Sequence, residues 1–208
     1  MNLFYYLPRL IEKVLSKFSY YSFFIETKNT QTPITFSLWF HQKILGYNYK
    51  AYWPVHHTSV IGGVENIIAG VETCPGYMPG CYIQAKGKIE IGDYTQISSN
   101  VGLISSNHSL VDSRQHKIDE IIIGKYCWIG MGAVILPGVV LGNFTVVGAG
   151  SIVTKSFKNG HVVIAGNPAK PIKEIDHKSC VPFKSEFEYN GYIKSSKFNA
   201  FRKENLKY

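Results

Sequence analysis

The 208-residue chain is poor in charge, in alanine and leucine, and in long apolar runs. Charged residues make up 17% of it, against roughly a quarter in an average soluble chain. Eight Ala and eleven Leu are too few for a helical bundle, which favours Ala, Leu, Glu and Lys. No apolar run approaches the roughly 18 residues that a membrane-spanning helix needs. Cys74, Cys81, Cys127 and Cys180 form no Cys-x-x-Cys pair and no metal-ligand spacing. They read as buried or idle thiols of a reducing cytoplasm; a Cys74–Cys81 disulfide would need an exported chain. The start, MNLFYYLPRL, has neither the basic opening, the continuous apolar run nor the small-residue cleavage site of a secretory signal, so a cytoplasmic location is expected. Acidic residues are also scarce, 14 against 22 Lys and Arg. The resulting net charge of +8 fits nucleic acid, an anionic membrane surface or a polyanionic small ligand. A mean hydropathy of −0.02 argues against global disorder.

What the chain does have is a repeat. From Ile123 it divides without a gap into IGKYCW, IGMGAV, ILPGVV, LGNFTV, VGAGSI and VTKSFK. The first position reads Ile123, Ile129, Ile135, Leu141, Val147, Val153, and the second is Gly in four of the six. The fifth holds Cys127, Ala133, Val139, Thr145 and Ser151, all small or β-branched, until Phe157. Upstream, IGDYTQ and ISSNVG share the period, and IGGVEN at Ile61 shares it weakly. A period of six suits neither a 3.6-residue helix nor a long alternating strand. It suits a short strand and a tight corner, with one aliphatic side chain turned inward and Gly serving positive φ or close approach. Three such faces make one coil, and stacked coils pair their strands in parallel into a β-solenoid.

The flanks differ. Residues 3–25 place apolar groups at helical spacing with Arg9, Lys13 and Lys17 along one side, a helix that packs on the solenoid, docks a subunit or rests on a membrane. Thr27 to Thr35 reads as a polar linker. A short helix is expected after Pro168, in AKPIKEIDHK, and residues 182–208 form an exposed, partly ordered basic aromatic tail. The divisions are therefore an N-terminal extension (1–52), a solenoid (53–167) and a C-terminal helix and tail (168–208). Within the solenoid the hexads fail at about 105–120, SSNHSLVDSRQHKIDE, a polar insertion containing His108 and His116. Loops that interrupt a rigid scaffold are where binding and catalytic groups tend to sit.

These hexads, the NHSLVD loop, YCWIGMGAVILPGVVLGNFTVVGAGSIVTKSF and AGNPAKPIK together resemble the hexapeptide-repeat acetyltransferases, from about Trp53 to Lys173. The branch they are most similar to is that of the sugar and polysaccharide O-acetyltransferases, relatives of the maltose and galactoside acetyltransferases. The resemblance implies a left-handed parallel β-helix, assembled as a homotrimer with active sites between subunits. The general rule for parallel crossovers would have favoured the opposite hand. It also implies direct transfer from acetyl-CoA, as co-substrate and without a metal, to a hydroxyl of a sugar in a surface or exported polysaccharide or its precursor.

On the same resemblance the catalytic base is His108, a neutral imidazole that takes the hydroxyl proton during attack on the thioester. His116 is its competitor, and is better read as a loop or substrate contact. The group that orients His108 is open between Asp112, Glu90 one coil earlier, and a backbone carbonyl. Met131, Ala149, Thr154 and Lys155 match positions along the coenzyme groove. Lys155, Lys170 and Lys173 match basic positions near its phosphates, and at the latter two relatives often have the bidentate Arg. Trp128 matches an aromatic beside the cleft; Tyr82, Gln84 and Asn107 are expected acceptor contacts. His56 and His57 are adjacent on a strand and make a poor chelate.

Two other functions compete. A metal-dependent hydro-lyase on the same solenoid, like the gamma-class carbonic anhydrases, needs three neutral His ligands. A non-catalytic binding scaffold predicts a featureless repeat. Another acyl-CoA donor or an amine acceptor would use the same base and groove. The six hexads from Ile123 contain only Lys125, Lys155 and Lys158 as charged residues, so the excess charge lies outside the repeat. It fits coenzyme phosphates, with an anionic surface or polysaccharide for the rest, and no longer suggests nucleic acid.

Overall fold

The computed structural model describes residues 3–208, with side chains from Leu7 onward. The hexads form three parallel sheets. The first face holds Val60–Gly62, Tyr82–Gln84, Gly102–Ile104, Val134–Ile135 and Ile152–Val153. The second holds Ile67–Ala69, Ile89–Ile91, Ile121–Ile123 and Val140–Leu141, and the third Gln96–Ile97, Trp128–Ile129, Thr145–Val147 and Val162–Gly166. From Ile89 onward the chain visits second, third and first face in turn. Each strand lies in register on the one a coil before, as Val134 lies between Gly102 and Ile152, and Trp128 between Gln96 and Val146.

The first hexad positions form the interior. Leu103, Ile135 and Val153 stack inside the first face, Ile91, Ile123 and Leu141 inside the second, and Ile97, Ile129, Val147 and Ile164 inside the third, all buried. The small fifth positions Cys127, Ala133, Val139, Thr145 and Ser151 are buried beside them. Gly at the second position serves close approach: a Cβ on Gly130 would stand 2.6 Å from the Val147 carbonyl oxygen of the next coil. Positive φ falls at the fourth position on Gly132 (69°), Gly138 (81°) and Gly150 (67°), and at another corner, one per coil, on Tyr94 (58°), Tyr126 (55°), Phe144 (56°) and His161 (50°). A non-Gly residue there costs roughly 1–2 kcal/mol. The cost is offset by ring stacking: successive centroids lie 5.3, 4.9 and 5.2 Å apart, each pair contributing roughly 0.5–1.5 kcal/mol.

The N-terminal segment breaks where one helix was expected over 3–25. Helix α1 (Leu3–Leu15) ends before a single turn at Ser19–Tyr21, and α2 (Phe23–Glu26) follows. Tyr and Phe in this stretch are weak helix formers, and burying Phe23 and Phe24 together with Ile34 and Tyr189 outweighs continuation. The expected linker is also folded: Thr27 is buried, its hydroxyl donating to the Phe23 carbonyl (2.6 Å) and accepting from the Ile34 amide (2.9 Å). Then α3 (Phe36–Trp39) and a π-helical turn, Phe40–Ile44, bring in Gln42. Its fully buried amide donates to the carbonyls of Asn48, Ala51 and Trp53, and accepts from Val55 N and the Tyr192 hydroxyl.

Two C-terminal expectations are corrected. The segment after Pro168 is not a helix but an outer strand, Ala169–Glu174, antiparallel to Val162–Gly166. Pro171 has no N–H for a helix, whereas an edge strand tolerates it. The tail is ordered: a hairpin, Tyr189–Asn190 with Ile193–Lys194, leads into α4 (Ser195–Asn205). Phe198 and Phe201 pack on Tyr52, with centroids 5.5 and 5.1 Å apart, and so cover the first coil. Lys194 and Lys207 add ion pairs to Glu26 and Glu65, each at 3.0 Å.

Cys74, Cys81, Cys127 and Cys180 are free thiols, and burial pushes Cys74 up to about 12.

Two outcomes follow from these packings. Ile135→Ala should lower the unfolding free energy by roughly 2–5 kcal/mol in a denaturant titration. At the joint between the π-helical turn and the first coil, His57 stacks between His41 (4.8 Å) and His56 (4.2 Å). The Thr58 amide donates to His56 Nδ1, which holds that ring neutral. Burial, then His57 and His41, lower the His56 pKa below its ordinary 6.5. Because the folded state favours the neutral ring, this contribution is present above 6.5 and lost as pH falls through the folded value. The thermal midpoint of the wild type should drop more steeply than that of His56→Gln between about pH 7 and 5.5.

Candidate functional site

The expected insertion is a β-hairpin, Ser106–His108 paired with His116–Ile118, which leaves the solenoid where the first face turns into the second. The coils close beneath and above it without losing register, since Ile89 still lies against Ile121 and Gly102 against Val134. Its root is fixed by two serines. Ser105 is fully buried; its hydroxyl accepts from the Gly87 amide (2.9 Å) and donates to the Gln84 carbonyl (2.9 Å). The Ser106 hydroxyl donates to Gln84 Oε1 at 2.7 Å. Gln84, expected as an acceptor contact, thus uses its side-chain oxygen to seat the hairpin.

His108 is exposed, and its Nδ1 donates to the Ser113 carbonyl at 2.5 Å. A carbonyl can only accept, so the proton sits on Nδ1 and the Nε2 lone pair is free to act as base. Of the three orienting candidates the backbone carbonyl occupies that place. Asp112 is engaged by Arg114, which donates from Nε (2.9 Å) and Nη2 (3.0 Å) and holds the carboxyl below its usual range. Glu90 lies on the second face, in register with Ile122 and paired with Lys88 at 2.5 Å. The His116 ring lies 4.3 Å from that of His108. Loss of water contact lowers the His116 pKa, followed by the fields of Lys86 and His108. Asn107, His108, Leu110, Val111 and Lys117 border an open hollow of about 630 Å³, and Leu110 and Val111 are 103% and 96% exposed.

The other expected site residues lie at two corners and on two faces. Thr154 and Lys155 are exposed at the corner that carries the hairpin, two coils further on. Met131 and Ala149 are exposed at the corner between third and first face, and Lys170 lies beside Ala165 near that corner. Lys173 lies beside Val163 and Trp128 stands exposed, both on the third face, while Tyr82 is exposed on the first. A single chain therefore groups His108 with Gln84 and Asn107, sets Thr154 and Lys155 two coils along the same corner, and leaves Trp128, Met131, Ala149, Lys170 and Lys173 on another side.

Sequence reasoning missed the aromatic ladder Tyr94–Tyr126–Phe144. Together with Gln31, Gln96, Trp128 and Phe183 it borders a hollow of about 410 Å³. The Tyr126 hydroxyl donates to the Phe183 carbonyl (2.9 Å), and that of Tyr94 to Glu188 (2.8 Å), strapping the tail across it. The signal was an aromatic in the fourth position of IGDYTQ, IGKYCW and LGNFTV. Among the described residues, no group of three or more His, Cys, Asp or Glu is placed to hold a metal ion.

Coiled parallel strands of six-residue period with one inserted histidine hairpin define a repeat-built architecture. A family model described as bacterial transferase hexapeptide (six repeats) matches residues 120–155. Among curated relatives, nodulation protein L of Rhizobium meliloti is 46% identical over 94 residues, 43% of this chain and 51% of that protein. The dTDP-4-amino-4,6-dideoxy-D-glucose acyltransferase of Escherichia coli is 37% identical over 107 residues, 46% of this chain and 55% of that protein. The chain spans about half the length of these relatives. A solved galactoside acetyltransferase in complex with coenzyme A superposes with a TM-score of 0.56 at 29% identity, covering 68% of this chain and 70% of that one. Over these stretches the chain is similar to the hexapeptide-repeat transferases.

Ser105→Ala would strand the buried Gly87 amide, and should lower stability by roughly 1–3 kcal/mol in a denaturant titration. Hydrogen exchange should quicken at Gly87 and at the hairpin root and stay unchanged at Ile129.

Proposed function

We propose that the protein is an acetyl-CoA-dependent O-acetyltransferase whose acceptor is a hydroxyl of a sugar in a surface or exported polysaccharide or its precursor. The observation that carries this reading is the His108 imidazole, held by the Ser113 carbonyl with Nε2 free, in a hairpin on a scaffold similar to that of the hexapeptide transferases. Nε2 takes the proton of the hydroxyl as its oxygen attacks the thioester carbonyl carbon. The C–S bond breaks, the acetyl group becomes the ester, and the imidazolium returns its proton to the departing thiolate. Proton transfer of this kind contributes typically 10²–10⁴-fold; positioning of both substrates and donors to the developing oxyanion supply the rest.

Exposed small and flexible residues at one corner, Ala149 beside Met131, suit a thin pantetheine chain, and Lys170 and Lys173 with Thr154 and Lys155 suit its phosphates. These groups lie on two sides of one chain. The reading therefore includes a homotrimer of left-handed coils in which one subunit's hairpin, through Leu110 and Val111, faces a neighbour's Trp128, Met131 and Ala149. Each active site is then completed by a second copy. Tyr82 and Asn107 contact the acceptor from the hairpin side, Gln84 through its amide nitrogen. No described helix is long and apolar enough to cross a membrane, and the reading places the enzyme in the cytoplasm.

The test is acetyl transfer followed by mass spectrometry across a panel of sugar acceptors. His108→Ala should lose about 10²–10⁴-fold in rate, with calorimetric binding of coenzyme A and the trimer mass unchanged. Full activity of that variant sinks the base assignment, and absence of coenzyme binding by the wild type sinks the donor.

A further inference from the structure

Helix α1 leaves an unusual face uncovered. Leu7 (48%), Leu10 (60%) and Val14 (51%) are exposed at helical spacing, and beyond the end of the helix Phe18 (63%) and Tyr20 (75%) are exposed too. Lys13 and Lys17 flank it on the solvent side. The opposite side of the helix packs inward, where Leu15 joins the Phe23–Phe24 cluster. Large apolar side chains that are normally buried thus form an exposed ridge along α1.

Charge decides what covers this ridge. Between residues 7 and 30 the only carboxylates are Glu12 and Glu26, and both turn into the protein. Glu12 Oε1 accepts from the Phe36 amide at 2.6 Å. Glu26 is engaged by Tyr189, Ser22 and Lys194, with the lysine at 3.0 Å. Lys13, Lys17 and Lys28 are exposed, so the outer surface of the segment is apolar and cationic, with its acids withdrawn. Aromatic side chains at the end of the ridge suit a headgroup boundary, and lysines beside an apolar stripe suit anionic headgroups.

We infer that the α1 ridge is a docking surface for an anionic lipid bilayer, the apolar side chains entering the headgroup boundary and Lys13 and Lys17 meeting lipid phosphates. The helix lies along the surface and does not cross it. Docking of this kind holds the enzyme as a peripheral protein and places a bilayer-bound acceptor within reach, yet it does not depend on the transfer reaction.

The full chain tests it by co-sedimentation with vesicles of phosphatidylcholine alone or with one-third phosphatidylglycerol. The anionic vesicles are expected to bind at least about tenfold more protein, with most of it released at about 0.5 M NaCl. Leu10→Asp with Val14→Asp, and separately Lys13→Glu with Lys17→Glu, should each abolish binding while the mass in solution and the far-ultraviolet dichroism match wild type. Equal binding to both vesicle types, or none, overturns the inference. So does a change of oligomer mass in the Leu10/Val14 variant, which would assign the ridge to a second copy. The wild-type salt and lipid comparison decides the matter even if a variant fails to fold.

Discussion

Everything in this molecule depends on one spacing, the distance at which successive coils lie on one another. Parallel strands bond at a separation of about 4.8 Å, and every corner must close at that height. Gly130 shows the consequence, because the backbone of the next coil lies where its side chain would be. The same spacing lets aliphatic side chains meet like above like, and rings at one corner lie nearly parallel, at 10° for both Tyr94–Tyr126 and Tyr126–Phe144. The interior is a set of columns and the surface a set of ladders, so each residue of the coils is confined to one place in the pattern.

That confinement explains which parts were legible beforehand. Inside the coils each position has one task, so Ile123 to Val153 could be read at the level of single residues, including the small fifth positions. The insertion was legible because a polar run has no place in such a pattern. Outside the coils the rules weaken. The strand Ala169–Glu174 was misread because Pro168 fits the start of a helix as well as a reversal, and Pro171 decides only once the partner strand is known. The tail was underestimated because its lysines are conspicuous while Phe198 and Phe201 anchor it. The partner of His108 had no side-chain signature at all, being the carbonyl of Ser113.

The appendages close the solenoid rather than decorate it. Gln42 illustrates how: a single buried amide gathers the carbonyls of three residues that lead into the first coil and meets Tyr192 from the far end of the sequence. Phe23 and Phe24 join the same assembly through Tyr189 and Tyr192. The open end of the first coil, which would otherwise expose a column of aliphatic side chains, is thereby covered by both termini. The first coils are the least regular, and the appendages supply there the packing that repetition supplies elsewhere.

The hairpin at His108 enters and leaves the coils without displacing them. Ile89 still meets Ile121, so the cost of opening the hairpin is separate from the cost of unfolding the column. In such an arrangement local and global stability are different currencies. The loop is free to vary in length and composition, and so in what it grips, while the scaffold beneath holds its shape; chemistry and architecture here can change at independent rates.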